Sequence, residues 1–228
     1  MALQPFVAGL AADVETPAKL AETQGERDSA RSTKLDRRLP TCRTTIWLLA
    51  LTNFALLANV VTALWLPSLI KGSGISDPLH IGWMTSIPYA VAITTMILVA
   101  RNSDRTGERR WHAVVPALVA SIGVIWMSFS LHEPVMLVFA AALCIGGALT
   151  LNALFWNLPT ALLSGNAAVV GIAFINSVGQ LAGFTAPAVF GWLFQKSGSP
   201  AYGLLSLGAL FAVGGLAVLC IPKTAVNR

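Results

Sequence analysis

Apolar positions fall in six long blocks, roughly 44–70, 81–100, 112–131, 134–163, 167–195 and 201–222, separated by short polar connectors. Each reaches the ~20 apolar residues that a helix needs to cross a bilayer. The first, fourth and fifth are long enough to tilt or to project past the membrane. Strand-like alternation is absent, which argues against an outer-membrane barrel. The connectors read as loops: Lys71 to Pro78, Arg101 to Arg110, His132-Glu133-Pro134, Ser164-Gly165-Asn166 and Lys196 to Pro200. The pattern therefore predicts an all-α fold, an integral membrane six-helix bundle over 44–222, with a polar leader at 1–43 and a tail at 223–228.

Composition sharpens this picture. The chain is 55% hydrophobic and 11% charged, with a mean hydropathy of +0.70, against about 25% charged residues in a soluble domain. Residues 1–40 hold six of the fifteen Lys/Arg and six of the ten Asp/Glu, which leaves thirteen charges for the 188 residues that follow. So few charges cannot cover a water-facing surface. A cytosolic enzyme, a disordered protein and a nucleic-acid-binding module are excluded, the last despite a pI near 9.5. Cys42, Cys144 and Cys220 share no metal-like spacing and read as small buried hydrophobes; no metal or cofactor is expected. Ala2–Ala12 lacks the basic flank of a secretion signal, so insertion is expected to come from the internal spans.

The basic residues orient the spans. Sorted by loop parity, Lys34, Arg37, Arg38, Arg43, Arg101, Arg105, Arg109, Arg110, Lys223 and Arg228 fall on one side, and only Lys71 and Lys196 on the other. Both termini are expected to be cytoplasmic, in a multi-pass protein of the cell (inner) membrane.

Within the spans the informative feature is the kind of polar residue. None of the ten carboxylates lies inside a span, and His80, His112 and His132 sit at span ends. Ion and proton pathways usually need an intramembrane ionisable group, so any proton carrier is expected on another segment. Neutral polar groups do occur on shared helical faces: Asn152, Trp156 and Thr160 in the fourth span, Asn176 and Gln180 in the fifth between Gly179 and Gly183, Asn59 and Thr62 in the first, Ser86 and Tyr89 in the second. Two readings stand side by side. They bond helix to helix, helped by close approach at Gly179 and Gly183, or they line a polar cavity whose amides donate to an anion. Pro88, Pro116, Pro159 and Pro187 predict kinks in spans two to five, as in transporter helices that bend near a binding site.

The connector Ala100-Arg-Asn-Ser-Asp104-Arg105-Thr-Gly107-Glu108-Arg109-Arg110 carries the sharpest motif. Gly107 permits a tight turn, Asp104 can face a helix N-terminus or an arginine, and the arginine pair anchors the membrane surface. This order resembles the cytoplasmic signature of the major facilitator superfamily, G-x-x-x-D-R-x-G-x-R-R. With Trp65-Leu-Pro67, Phe155 to Thr160 and Gly171 to Gly179, the chain from about Trp47 to Pro222 is similar to the second half of the anion:cation symporter branch. That resemblance implies that the six spans correspond to helices seven to twelve of a twelve-helix transporter of organic anions, carboxylates or sugar acids. It implies that Trp156 and Asn176 contact substrate; the shared polar faces add Asn152, Gln180, Tyr89 and Asn59 as further wall residues. It also implies that Asp104, Arg105, Gly107, Arg109 and Arg110 hold a cytoplasmic gate. Ala100 departs from the motif's glycine, and the first span has Asn53 and Asn59 where relatives often carry a tyrosine. In that family the titrating carboxylates and the substrate-gripping arginine usually lie in helices one to six.

The leading expectation is the C-terminal half of a proton-coupled organic-anion symporter working by alternating access, inactive without its N-terminal half. Alternatives are a homodimeric half-transporter acting as a uniporter, or a non-transporting remnant or interaction protein. An intramembrane serine protease needs Gly-x-Ser-Gly within a span and a later histidine. Ser164-Gly165 lies in a loop and no histidine follows in the last two spans, so no enzyme is expected. Expected partners are a small organic anion, membrane lipid, and the N-terminal half or a second copy, with no nucleic acid.

Overall fold

The structure, a computed structural model, describes residues 43–163 and 166–221, apart from the side chains of 166 and 167. The chain divides into two units, Met1–Thr44 and Thr45–Arg228, and the helices below belong essentially to the second. The leader (Arg43 excepted), the tail, Cys42 and the Ser164-Gly165 connector lie outside the described residues, and with them Lys34, Arg37, Arg38, Lys223 and Arg228.

Among the described residues six helices are long and apolar enough to cross a membrane: α1 Arg43–Gly72, α2 Pro78–Thr106, α3 Arg109–Phe129, α4 Pro134–Leu162, α5 Ala168–Ser197 and α6 Ala201–Leu219. Local chemistry explains their ends. The Asp77 carboxylate accepts from the Leu79 N–H at 3.1 Å, and Pro78 occupies the first helical turn, where its missing N–H is harmless. Gly107 closes α2 at φ +67° and Gly198 closes α5 at φ +69°, a left-handed conformation that suits glycine.

The expected loops prove shorter than the polar runs suggested. Helix α1 passes through Pro67 and continues to Gly72. The basic connector is helical on both sides, leaving only Gly107 and Glu108 between α2 and α3. Arginines with long apolar stems are good helix formers and can project from a helix end into the interface, so charge alone did not mark a loop there.

Helix breaks follow a different logic from the proline count. Helices α2 and α3 continue through Pro88 and Pro116, both buried. Helix α4 breaks at Trp156, three residues before Pro159, where the proline ring opposes the Phe155 carbonyl. Helix α5 breaks at Leu181, where i→i+3 bonds (Leu181 to Val178, 3.3 Å; Phe184 to Leu181, 3.2 Å) replace the regular ladder. Helix α1 breaks at 58–59 with no adjacent proline, again through i→i+3 bonds, Asn59 to Leu56 at 3.2 Å and Thr62 to Asn59 at 3.0 Å.

Helix α4 packs against α2 and α3, and α3 packs also against α6. Two thirds of α4's most apolar stretch is buried (67%), against 11% in α2 and 22% in α5. The α3–α4 pair approaches at backbone level. A Cβ on Gly123 would lie 2.4 Å from the Cys144 nitrogen, and one on Gly147 would lie 2.4 Å from the Pro116 carbonyl oxygen. Such small-residue contacts replace the hydrophobic driving force that lipid does not supply. Hydroxyls then cross-link helices through glycine carbonyls: Thr52 Oγ1 donates to Gly214 at 3.1 Å and Ser121 Oγ to Gly208 at 2.8 Å.

Candidate functional site

The outer surface has two characters. On α3 the exposed residues Trp111, Val115, Ile122, Trp126 and Phe129 recur at helical spacing and are all apolar, the composition that faces hydrocarbon. On α2, α5 and the end of α4, exposed polar groups are interspersed: Ser86, Thr94, Asn152, Thr160, Asn176, Ser177 and Gln180. The hydroxyls of Ser86, Thr94 and Thr160 are satisfied by carbonyls four residues back in their own helices. The amides are not: Asn152, Asn176 and Gln180 make no side-chain hydrogen bond to any described residue, nor does the half-buried Tyr89 hydroxyl.

Two of the six wall residues are brought together directly. Asn59, at the α1 break, and Asn152, on α4, face a common cleft of about 180 Å3 whose other walls are Leu56, Leu57, Val60, Ala148 and Leu149. The cleft backs onto Cys144, whose sulfur lies 3.8 Å from Thr62 Oγ1 and 4.0 Å from Asn59 Oδ1. Trp156 is half-buried one turn further along α4, its ring edge-on to Phe155 at 5.1 Å and 77°. Asn176 and Gln180 share the exposed side of α5, and Tyr89 packs beside the core from α2.

Asn53 has a different part. Its Nδ2 donates to the Ile175 carbonyl at 3.1 Å, fixing the residue just before Asn176. Gly179 makes room for this contact, since a Cβ there would fall 2.1 Å from Asn53 Nδ2, whereas Gly183 has nothing within 4 Å. Of the two glycines, Gly179 is packed against α1 and Gly183 faces open space. Asn53 sits in an apolar run with no motif around it, so only three-dimensional contact distinguishes it from Asn59.

The basic connector also resolves residue by residue. Gly107 makes the turn, its N–H returning to the Ser103 carbonyl at 3.0 Å. Asp104 and Arg105 are exposed on the last turn of α2 and make no ion pair with any described residue. Arg109 is half-buried. Arg110, also half-buried, donates through a guanidinium nitrogen to the Leu219 carbonyl, which places a cation on the negative end of α6. A latch unmarked by the motif joins α2 to α3: the Asn102 amide donates to His112 Nε2 at 2.9 Å, while His112 Nδ1 meets the Glu108 carbonyl. Among the described residues no group of three His, Cys, Asp or Glu is placed to hold a metal.

Asp77 carries the resolved electrostatic perturbation outside the spans. The Leu79 N–H first, and then the His80 side chain, stabilise its carboxylate and lower its pKa below the usual value.

A profile of the Major Facilitator Superfamily matches residues 5–187. Among curated proteins, a putative tartrate transporter of Agrobacterium vitis is 38% identical over 178 residues, 78% of this chain and 41% of that protein. The putative metabolite transport protein NicT of Pseudomonas putida is 29% identical over 184 residues, 80% of this chain and 42% of its own length. The inner membrane transport protein RhmT of Escherichia coli is 38% identical over 145 residues, 64% of this chain and 33% of its length. The chain thus spans about two fifths of the length of the first relatives it matches. With six membrane-crossing helices and a match over most of its length, this multi-pass membrane protein belongs to the Major Facilitator Superfamily, a family of transporters and not of enzymes.

Proposed function

We propose that this bundle works as the C-terminal half of a twelve-helix secondary transporter that moves a small organic anion by proton-coupled symport. The supporting observation is the exposed amide set. Asn152, Asn176 and Gln180 lie at membrane depth, exposed, with no hydrogen-bond partner among the described residues. Polar groups left bare in hydrocarbon are costly, so this side of α2, α4 and α5 belongs against a second bundle and a water-filled path. The names of relatives supply the substrate class: two are called tartrate transporters. An amide both donates and accepts, which suits a hydroxylated carboxylate. In this reading Asn59 and Asn152 take one end of the anion in their shared cleft, and Trp156, Asn176, Gln180 and Tyr89 complete the wall.

No carboxylate or cation lies in the middle of a described span; Asp77, Asp104, Glu108 and Glu133 all sit at helix ends. The counter-charge and the proton carrier therefore belong to the first bundle, and this chain alone is inactive. Transport proceeds by rocking of the two bundles about the central site, with Asp104, Arg105, Gly107, Arg109 and Arg110 gating the cytoplasmic face. The bias of Lys and Arg to one side supports a reading with both ends of the bundle in the cytoplasm, in the cell (inner) membrane.

The test is tartrate uptake into proteoliposomes under an inward proton gradient. The chain alone should give none. The chain reconstituted with the first six helices of the Agrobacterium vitis relative should give uptake that collapses with a protonophore. Uptake by this chain alone would instead support a second reading, a homodimer whose two copies cover each other's amides about an axis along the membrane normal.

A further inference from the structure

The basic end of the bundle carries a second concavity whose lining residues take no part in the transport reading, although Arg105 above it belongs to the proposed gate. Between α2 and α3 lies a cleft of about 410 Å3, walled by Leu98 and Val99 on one side and Trp111 and Val115 on the other, with Asn102 and His112 at its mouth. It opens beside the apolar α3 stripe, on the surface suited to hydrocarbon. Leu98, Arg101, Asn102 and Arg105 follow one another at i, i+3, i+4 and i+7, so both arginines rise along the α2 wall. Arg101 and Arg105 are exposed and form no ion pair or hydrogen bond with any described residue. Asp104 is nearly opposite Asn102 round the helix and pairs with neither arginine.

Depth fixes what can occupy such a cleft. Helix α2 has 29 residues, about 43 Å at 1.5 Å each, against ~30 Å of hydrocarbon. Its last turns therefore stand in the headgroup layer while Leu98 lies below it. An occupant must be apolar beneath and anionic above. From this geometry we infer that the α2–α3 cleft is a binding site for an anionic phospholipid. An acyl chain runs along Leu98, Val115 and Trp111, and the phosphate sits between Arg101 and Arg105. The Asn102 amide is held at the mouth by His112 and keeps a second N–H to offer.

The experiment is native mass spectrometry of the full chain in mild detergent, with phosphatidylglycerol and phosphatidylcholine of matched acyl chains. Phosphatidylglycerol should be retained preferentially. Arg101→Gln with Arg105→Gln should cut that preference by roughly tenfold or more. Lys71→Gln with Lys196→Gln, the same charge removed at the other end, should leave it intact. Val115→Trp keeps both arginines and fills the groove, and should also weaken retention. Equal retention of the two lipids, or retention unchanged by the arginine pair, would overturn the site. Retention unaffected by Val115→Trp would reduce it to a surface charge effect and overturn the cleft assignment. Displacement by soluble glycerol phosphate would do the same, since a headgroup without a chain should not compete.

Discussion

The Asn53 side chain reaches from α1 to the Ile175 carbonyl of α5 across 3.1 Å, in space left by Gly179. This bond sets the rotation of α5 and so the side on which Asn176 emerges. Asn53→Leu should cost roughly 1 kcal/mol of stability in detergent, the scale of interhelical hydrogen bonds in membranes. Gly179→Ala should cost at least as much, because its methyl would displace the amide. Thermal unfolding of the two variants and of the double variant checks this; full additivity would show that the two residues do not share one contact.

Glycines separate by what they face. Gly147→Val would drive a side chain into the Pro116 and Ala120 backbone, and should prevent the bundle from accumulating as a folded species. Gly183→Ala meets nothing within 4 Å and should leave the unfolding free energy of the isolated chain within about 0.5 kcal/mol of wild type. If a second bundle covers α5, the same Gly183→Ala should reduce co-purification with it. Size-exclusion profiles measure the first effect and pull-down yields the second.

Asn176→Ala and Gln180→Ala remove side chains with no hydrogen bond to any described residue. Neither should lower stability, while each should lower tartrate uptake by the reconstituted pair by about tenfold or more. A matched loss of stability and uptake would identify these amides as structural.

Arg110 should matter more to the fold than Arg105, though the motif treats them alike. Arg110→Gln removes the cation that caps α6 at Leu219, at a cost of about 1 kcal/mol. The adjacent Cys220 thiol is free and exposed, and should label faster with maleimide as the helix end frays. Arg105→Gln should leave that rate unchanged.

The start of α2 should loosen in acid. Because the Asp77 pKa is lowered on folding, its capping contribution is fully present above the ordinary carboxylate pKa of 3.8 and is lost as pH falls through the lower folded value. Amide exchange at Ile81, whose N–H returns to the Asp77 carbonyl at 3.1 Å, should accelerate there once the intrinsic pH dependence is divided out. Asp77→Asn should abolish that transition.

Much of the architecture was legible in one dimension because lipid imposes length and apolarity on each span. Gly107 likewise announced its turn, and the amides of Asn152, Asn176 and Gln180 were visible as polar positions in apolar runs. Their exposure was not, since periodicity places residues on a common side of a helix without saying what that side meets. Proline alone does not mark where the helical ladder is interrupted. Pro116 lies in an interface where α4 grips α3 through Gly123 and Gly147, and α3 stays helical through it. At Asn59 the ladder gives way with no proline beside it. Arg110 turning onto α6 depends on where a helix more than a hundred residues later ends.

The two-residue link at Gly107-Glu108 has a mechanical consequence. Helices of 29 and 21 residues joined so closely, and latched again by Asn102 and His112, are tied together at this end. Helix α4 packs against both, so a movement of that joined end is carried to α4. Compliance is left to α1, α4 and α5, where the ladder is interrupted beside Asn59, at Trp156 and beside Gln180. The joints of the molecule and its unsatisfied amides thus share an address, so a solute that binds there presses on the part of the frame most able to yield.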